Sequence, residues 1–185
     1  MRRMVERIPA RVRVVVLTAM YGIVAGLATV AFMLAVNGLF GFLWSRLAAR
    51  GPIFFVVASL FTVVLTSIAS GVLMTLVSPE SAGSGIPQLK AAYWRELGVV
   101  SLRSVLVKFL GGVLAIGGGA SLGREGPTVF IAGGLASNTA AMLGIEPKRR
   151  RHAAAAGAAA GLAAAFNTPL AAISFVLEEL LGDLN

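Results

Sequence analysis

The 185-residue chain has no cysteine, which excludes disulfides and thiolate metal sites and leaves the redox compartment open. Histidine is nearly absent too. The single one, His152, lies in the run Lys148-Arg149-Arg150-Arg151-His152, which reads as a basic loop, and His152 reads as a solvated or headgroup-facing residue. An intramembrane serine hydrolase built on Ser84 therefore lacks a base. Acidic residues are few, 8 against 16 lysines and arginines, for a formal net charge of +8. In a soluble protein that excess would point to nucleic acid. Here the cations stand at the ends of apolar runs and read as a topology signal, so no nucleic-acid partner is expected. The glycine-rich stretch 117–126 is not followed by Gly-Lys-Ser/Thr, and Leu122 breaks the dinucleotide-binding spacing. No cofactor or metal is expected, and nothing in the pattern reads as an enzyme.

What remains is apolar. Hydrophobic residues make up 57% of the chain and charged ones only 13%, with a mean hydropathy of +0.87. A chain this apolar cannot hide its surface in one soluble core and reads as an all-α integral membrane protein. Residues 14–44 and 51–79 carry no charge, and each run exceeds the roughly 20 residues that span a bilayer, so both predict long tilted spans. The first run is too long for a signal-peptide core and is expected to be retained. Beyond it come shorter pieces: a half-membrane or interfacial helix from near Ser84, an apolar segment 104–120 holding Lys108, and a glycine-rich break. Helix resumes to about Leu143, an alanine-rich helix covers 153–165, and Asn167-Thr168-Pro169 precedes a last one over 170–181. About eight helices of unequal length, several too short to span, are the sign of broken helices lining a polar path. The organisation expected is a basic cytoplasmic segment over 1–13, a transmembrane region over 14–181 and an end at 182–185. With the N-terminus cytoplasmic, thirteen of the sixteen basic residues fall inside, and Arg46, Arg50 and Arg124 fall outside or at the cavity. Gly22 and Gly26, four apart, and the run 153–165 read as close helix packing.

Three constellations carry chemistry. In Gly83-Ser84-Gly85-Ile86-Pro87 the glycines permit a tight turn, and Ser84 adds a hydroxyl beside the exposed N–H groups of a helix start. The positive end of a helix there favours an anion, and the same residues also suit a plain capped loop. In Gly123-Arg124-Glu125-Gly126-Pro127 a carboxylate stands at another helix start, where it could occupy an anion's place and vacate it on protonation. The ordinary alternative is an Arg124–Glu125 ion pair in an extracellular loop. Glu178-Glu179 closes the last apolar helix, where two acids oppose the helix dipole; they suit a proton relay or plain interfacial charges.

In order and spacing these segments, with Ala163-Ala164-Ala165-Phe166-Asn167-Thr168-Pro169-Leu170-Ala171 leading to Glu178-Glu179, resemble the CLC family of chloride channels and chloride/proton antiporters. The resemblance covers essentially the whole chain and implies the first inverted repeat of a CLC transmembrane domain. It implies anion binding by Ser84, Gly85 and Ile86, with Arg124 and Gly126 beside the outer anion site. It makes Glu125 the gating glutamate and Glu179, with Glu178 its neighbour, the inner proton acceptor. A serine at 84 points to chloride as the anion, with protons as the coupled ion. The location implied is the inner cell membrane, surrounded by lipid bilayer, with a homodimer expected of the full-length protein. The later Gly-x-Phe-x-Pro segment and the tyrosine that complete the family's anion site are missing, and neither Tyr21 nor Tyr93 stands where that tyrosine should be. The chain is therefore expected to be a fragment or truncated product of a chloride/proton antiporter. The alternatives are a passive, voltage-gated chloride channel and a non-transporting half-protein that serves as a structural partner.

Overall fold

A computed structural model describes residues 9–182 and, of Ala10 and Arg11, the backbone only. The basic segment expected over 1–13 and the end at 182–185 thus lie mostly outside the described residues. Among the described residues seven α-helices follow one another: α1 (Ala10–Ala48), α2 (Pro52–Val77), α3 (Ile86–Arg95), α4 (Leu102–Gly117), α5 (Glu125–Met142), α6 (Pro147–Phe166) and α7 (Pro169–Phe175). A 3-10 turn, Pro79–Ser81, precedes α3, and α7 runs on into a π-helical turn, Val176–Leu181.

Length separates the helices into two kinds. At 1.5 Å per residue, α1 with 39 residues reaches about 58 Å and α2 with 26 about 39 Å, both longer than the hydrocarbon core. Helix α3, with 10 residues, reaches only about 15 Å. Between α1 and α2 the chain turns at Gly51, whose φ of 94° suits glycine, and Pro52 opens α2 where no N–H partner is lost. Trp44 stacks on Phe40 and meets Phe55 edge-on at this hairpin, with Arg46 lying 3.6 Å over the Phe42 ring. An aromatic and basic girdle of this kind marks a membrane–water interface.

The α5–α6 crossing is built from small residues, while larger side chains such as Phe32, Leu89 and Ile131 fill the core around it. Helices α5 and α6 cross so closely that a side chain on Gly157 would meet the Ala136 methyl and the Ala132 carbonyl, and one on Gly161 would meet the Ala132 methyl and the Thr29 hydroxyl. Ala132, Ala136, Ala140, Ala153, Ala154 and Ala158 are all fully buried there. Backbones approach this closely in lipid only where side chains are small. The close approach expected at Gly22 and Gly26 is not found: Gly26 faces open space, and a methyl on Gly22 would make only ordinary contact at 3.8 Å.

The basic run 148–152 is also corrected. It is not a loop but the first turns of α6, which Pro147 opens at its first position. Pro147 presets the helical φ, and Lys and Arg are strong helix formers, so the helix begins ahead of the alanines. At the other end Asn167 adopts the left-handed conformation (φ 55°) that stops α6, and Thr168 and Pro169 start α7.

Candidate anion site

Two helix N-termini meet at one point. Helix α3 starts after Gly85, whose φ of 113° excludes most residues, and α5 starts at Glu125. A Cβ on Gly85 would lie 2.5 Å from the Gly126 carbonyl oxygen and 3.0 Å from Phe130 Cβ; a Cβ on Gly126 would collide with the Ser84 carbonyl. Only glycine at both positions lets the two starts touch backbone to backbone. The first-turn N–H groups that a helix leaves unpaired, and its positive dipole end, are thereby doubled over one small volume.

The loop ahead of α3 is fixed from its own helix. The Gly85 N–H donates to Gln88 Oε1 at 2.8 Å, and Gln88 Nε2 donates to the Ala82 carbonyl. These two bonds from the one Gln88 side chain hold the turn without using the Ser84 hydroxyl, which stays exposed and makes no hydrogen bond among the described residues. The capping role that serine favours thus falls to Gln88.

A cavity of about 440 Å³ opens at the junction, lined among others by Ser84, Ile86, Lys108, Gly123, Glu125 and Gly126. The structure thus brings Ser84, Gly85, Ile86, Glu125 and Gly126 to one place. Glu125 is exposed, its carboxylate folded against Gly123, and makes no ion pair among the described residues. The alternative of an Arg124–Glu125 pair is therefore not what forms. Arg124 is the N-cap residue of α5, half-buried, and does not line the cavity.

Lys108, which the sequence reading counts only as an inner-face charge, also lines the cavity. It is 1% exposed, and its Nζ donates to the carbonyls of Ser81 at 2.7 Å and Gly83 at 2.5 Å. No carboxylate pairs with it among the described residues, so a positive charge stands beside the cavity with one donor to spare. Its sequence signal was its place as the lone charge of an otherwise apolar segment, costly unless used.

Glu178 and Glu179 lie elsewhere, in the π-helical turn, and are not brought to the cavity. Glu179 sits 3.8 Å from Lys90 of α3; Glu178 is exposed and has no such partner among the described residues. Tyr21 and Tyr93 are buried in packed interfaces and do not line the cavity.

A family model described as voltage gated chloride channel matches residues 66–185. The chain is similar to a solved slow cyanobacterial Cl−/H+ antiporter, with 32% identity and a TM-score of 0.76, over 89% of this chain and 39% of that one. It is similar also to a solved eukaryotic CLC transporter, with 29% identity and a TM-score of 0.73, over 91% of this chain and 33% of that one. The chain thus spans between one third and two fifths of the length of these solved relatives. The all-α architecture and the match across both glycine motifs agree: the chain belongs to the voltage-gated chloride channel family, the CLC family.

Proposed function

We propose that this chain contributes the first half of the ion path of a chloride/proton antiporter, with chloride held at the junction of α3 and α5. The observation that carries the reading is the glycine-only contact of Gly85 and Gly126, which aims two helix N-termini at one cavity. Ser84 supplies a free hydroxyl and the α3 start supplies the Ile86 N–H next to Gly85, whose own N–H is held by Gln88, while Lys108 adds positive charge behind them. Arg124 and Gly126 belong to the outer edge of the same site. Together these donors replace water around an anion that would otherwise lose its hydration in the membrane.

Glu125 is the gate. Its carboxylate is an anion on the wall of an anion cavity, so it competes with chloride for the same positive potential. Protonation removes that competition and lets the side chain withdraw, so proton and chloride occupancy alternate. Glu179, beside Lys90 of α3, is the inner proton acceptor, with Glu178 its solvated neighbour. The similarity to a slow cyanobacterial Cl−/H+ antiporter supports coupling rather than passive conduction. The charge asymmetry supports a cytoplasmic N-terminus in the inner cell membrane, with Trp44, Arg46 and Arg50 at the outer interface. Lipid surrounds the spans, and a homodimer of the full-length protein is part of the same reading.

The test is flux from liposomes carrying the gene-encoded protein. A chloride gradient should drive protons in the opposite direction, and Glu125→Gln should abolish proton movement while chloride still passes. Coupled proton transport that persists in this variant overturns the gate assignment. Chloride flux without proton movement in the unaltered protein makes it a passive channel.

A further inference from the structure

Helix α3 has two ends with different duties. Its first turn forms the anion junction, while its last two turns hold the segment that carries Glu179. Two contacts do this. Lys90 Nζ lies 3.8 Å from Glu179 Oε1, and the Trp94 indole Nε1 donates to the Leu180 carbonyl at 3.0 Å. The second contact reaches across 86 residues of sequence and binds a backbone atom next to the glutamate.

The segment held is an irregular one. Over Val176–Leu181 the chain leaves the α-helix for a π-helical turn, closed by the Gly182 N–H donating to the Leu177 carbonyl at 3.1 Å and stopped by Gly182 at φ 70°. A π turn is rare and widens the helix, which changes the direction in which the residues on it point. Val176 and Leu180, 4% and 2% exposed, anchor one face of the turn in the core and leave Glu178 and Glu179 on the other. The last carbonyls of any helix lack intrahelical donors, and the Trp94 indole serves one of these here.

We infer that Trp94 and Lys90 are positioning residues for proton transfer: they fix the π-helical turn and, through the Lys90 contact, the orientation of Glu179, the one of the two exposed glutamates that α3 meets. The inference rests on the antiporter reading above. Its physical basis is that α3 is pinned at its start by the Gly85–Gly126 contact and at its end by two polar contacts. One short rigid element therefore fixes the inner carboxylate relative to the gating one. The ion pair is half-exposed, at 41% and 51% for the two side chains, so its value lies in orientation and not in stability. Trp94 is itself 53% exposed; an interfacial tryptophan serving only as a membrane anchor would need its ring and not this bond.

The variants are Trp94→Phe, which keeps an aromatic ring beside Tyr93 and removes the donor, and the pair Lys90→Gln and Lys90→Arg. Proton and chloride fluxes are measured together in liposomes carrying the gene-encoded protein. The expected result is a proton-to-chloride ratio at least threefold lower in Trp94→Phe and in Lys90→Gln, with chloride flux within twofold of the unaltered protein and the ratio restored in Lys90→Arg. An unchanged ratio, or proton and chloride fluxes that fall in equal proportion, overturns the positioning role. If the unaltered protein moves no protons, the antiporter reading fails and this inference fails with it; if it couples normally and the variants do too, only the inference fails.

Discussion

The α1–α2 hairpin and the α5–α6 crossing solve opposite problems with opposite side chains. Helix α2 is the more uniformly apolar, yet its large residues Ile53, Leu60, Phe61 and Leu76 are 68% to 82% exposed, and Ser70 is its one buried residue. Helix α5 has fewer large apolar side chains, yet most of it is buried. In water apolarity marks the interior; in a bilayer it marks the surface, because lipid tails are as apolar as leucine and give no reward for sequestering it. At the α5–α6 crossing burial instead goes with smallness, since dispersion between close backbones is what holds helices together there.

The contrast can be broken most severely at Gly161. Gly161→Leu forces a branched side chain into the Ala132 methyl and the Thr29 hydroxyl, and should cost about 3 kcal/mol or more, read as loss of folded protein in detergent. Its counterpart Leu60→Ala, on the lipid face of α2, should stay within about 0.5 kcal/mol in the same assay. Comparable losses at both sites would refute the contrast. Lys108→Met is expected to fall between them: it leaves the Ser81 and Gly83 carbonyls without their donor, at about 1–3 kcal/mol, and should weaken chloride binding measured by calorimetry.

The smallest effect concerns Glu80, in the 3-10 turn after α2. Hydrogen bonds from backbone and from Ser104 at 2.8 Å hold its carboxyl below the ordinary carboxylate range, with Arg103 adding to the effect. A depressed folded-state pKa contributes stability that is present above the unfolded value and lost as pH falls through the folded one. Thermal unfolding of Glu80→Gln should therefore show slightly less loss of stability on acidification below about pH 4 than the unaltered protein. An identical acid limb in both would remove Glu80 from the account.

Much of the site was legible in the sequence because it is made of local features. Ser84-Gly85-Ile86 and Glu125-Gly126 are helix starts, and a helix start is written in glycine and proline at fixed offsets. What was not legible is long-range. Lys108 reaches back 25 and 27 residues to the carbonyls it serves, and Trp94 reaches 86 residues forward. No periodicity records such pairings. The boundary of α6 was misjudged for a related reason: the charges of 148–151 resemble a loop in composition, while Pro147 and the helix propensity of Lys and Arg decide otherwise.

By itself, then, the sequence determined that the chain is helical and membrane-embedded, where its long spans run, and which two glycine motifs begin helices, since these depend on residues adjacent in the chain. Tertiary structure alone decided that Gly85 and Gly126 touch, that Lys108 stands behind their cavity, and that α3 reaches Glu179. Those facts depend on how helices cross, and a crossing is set by which surfaces are small enough to approach.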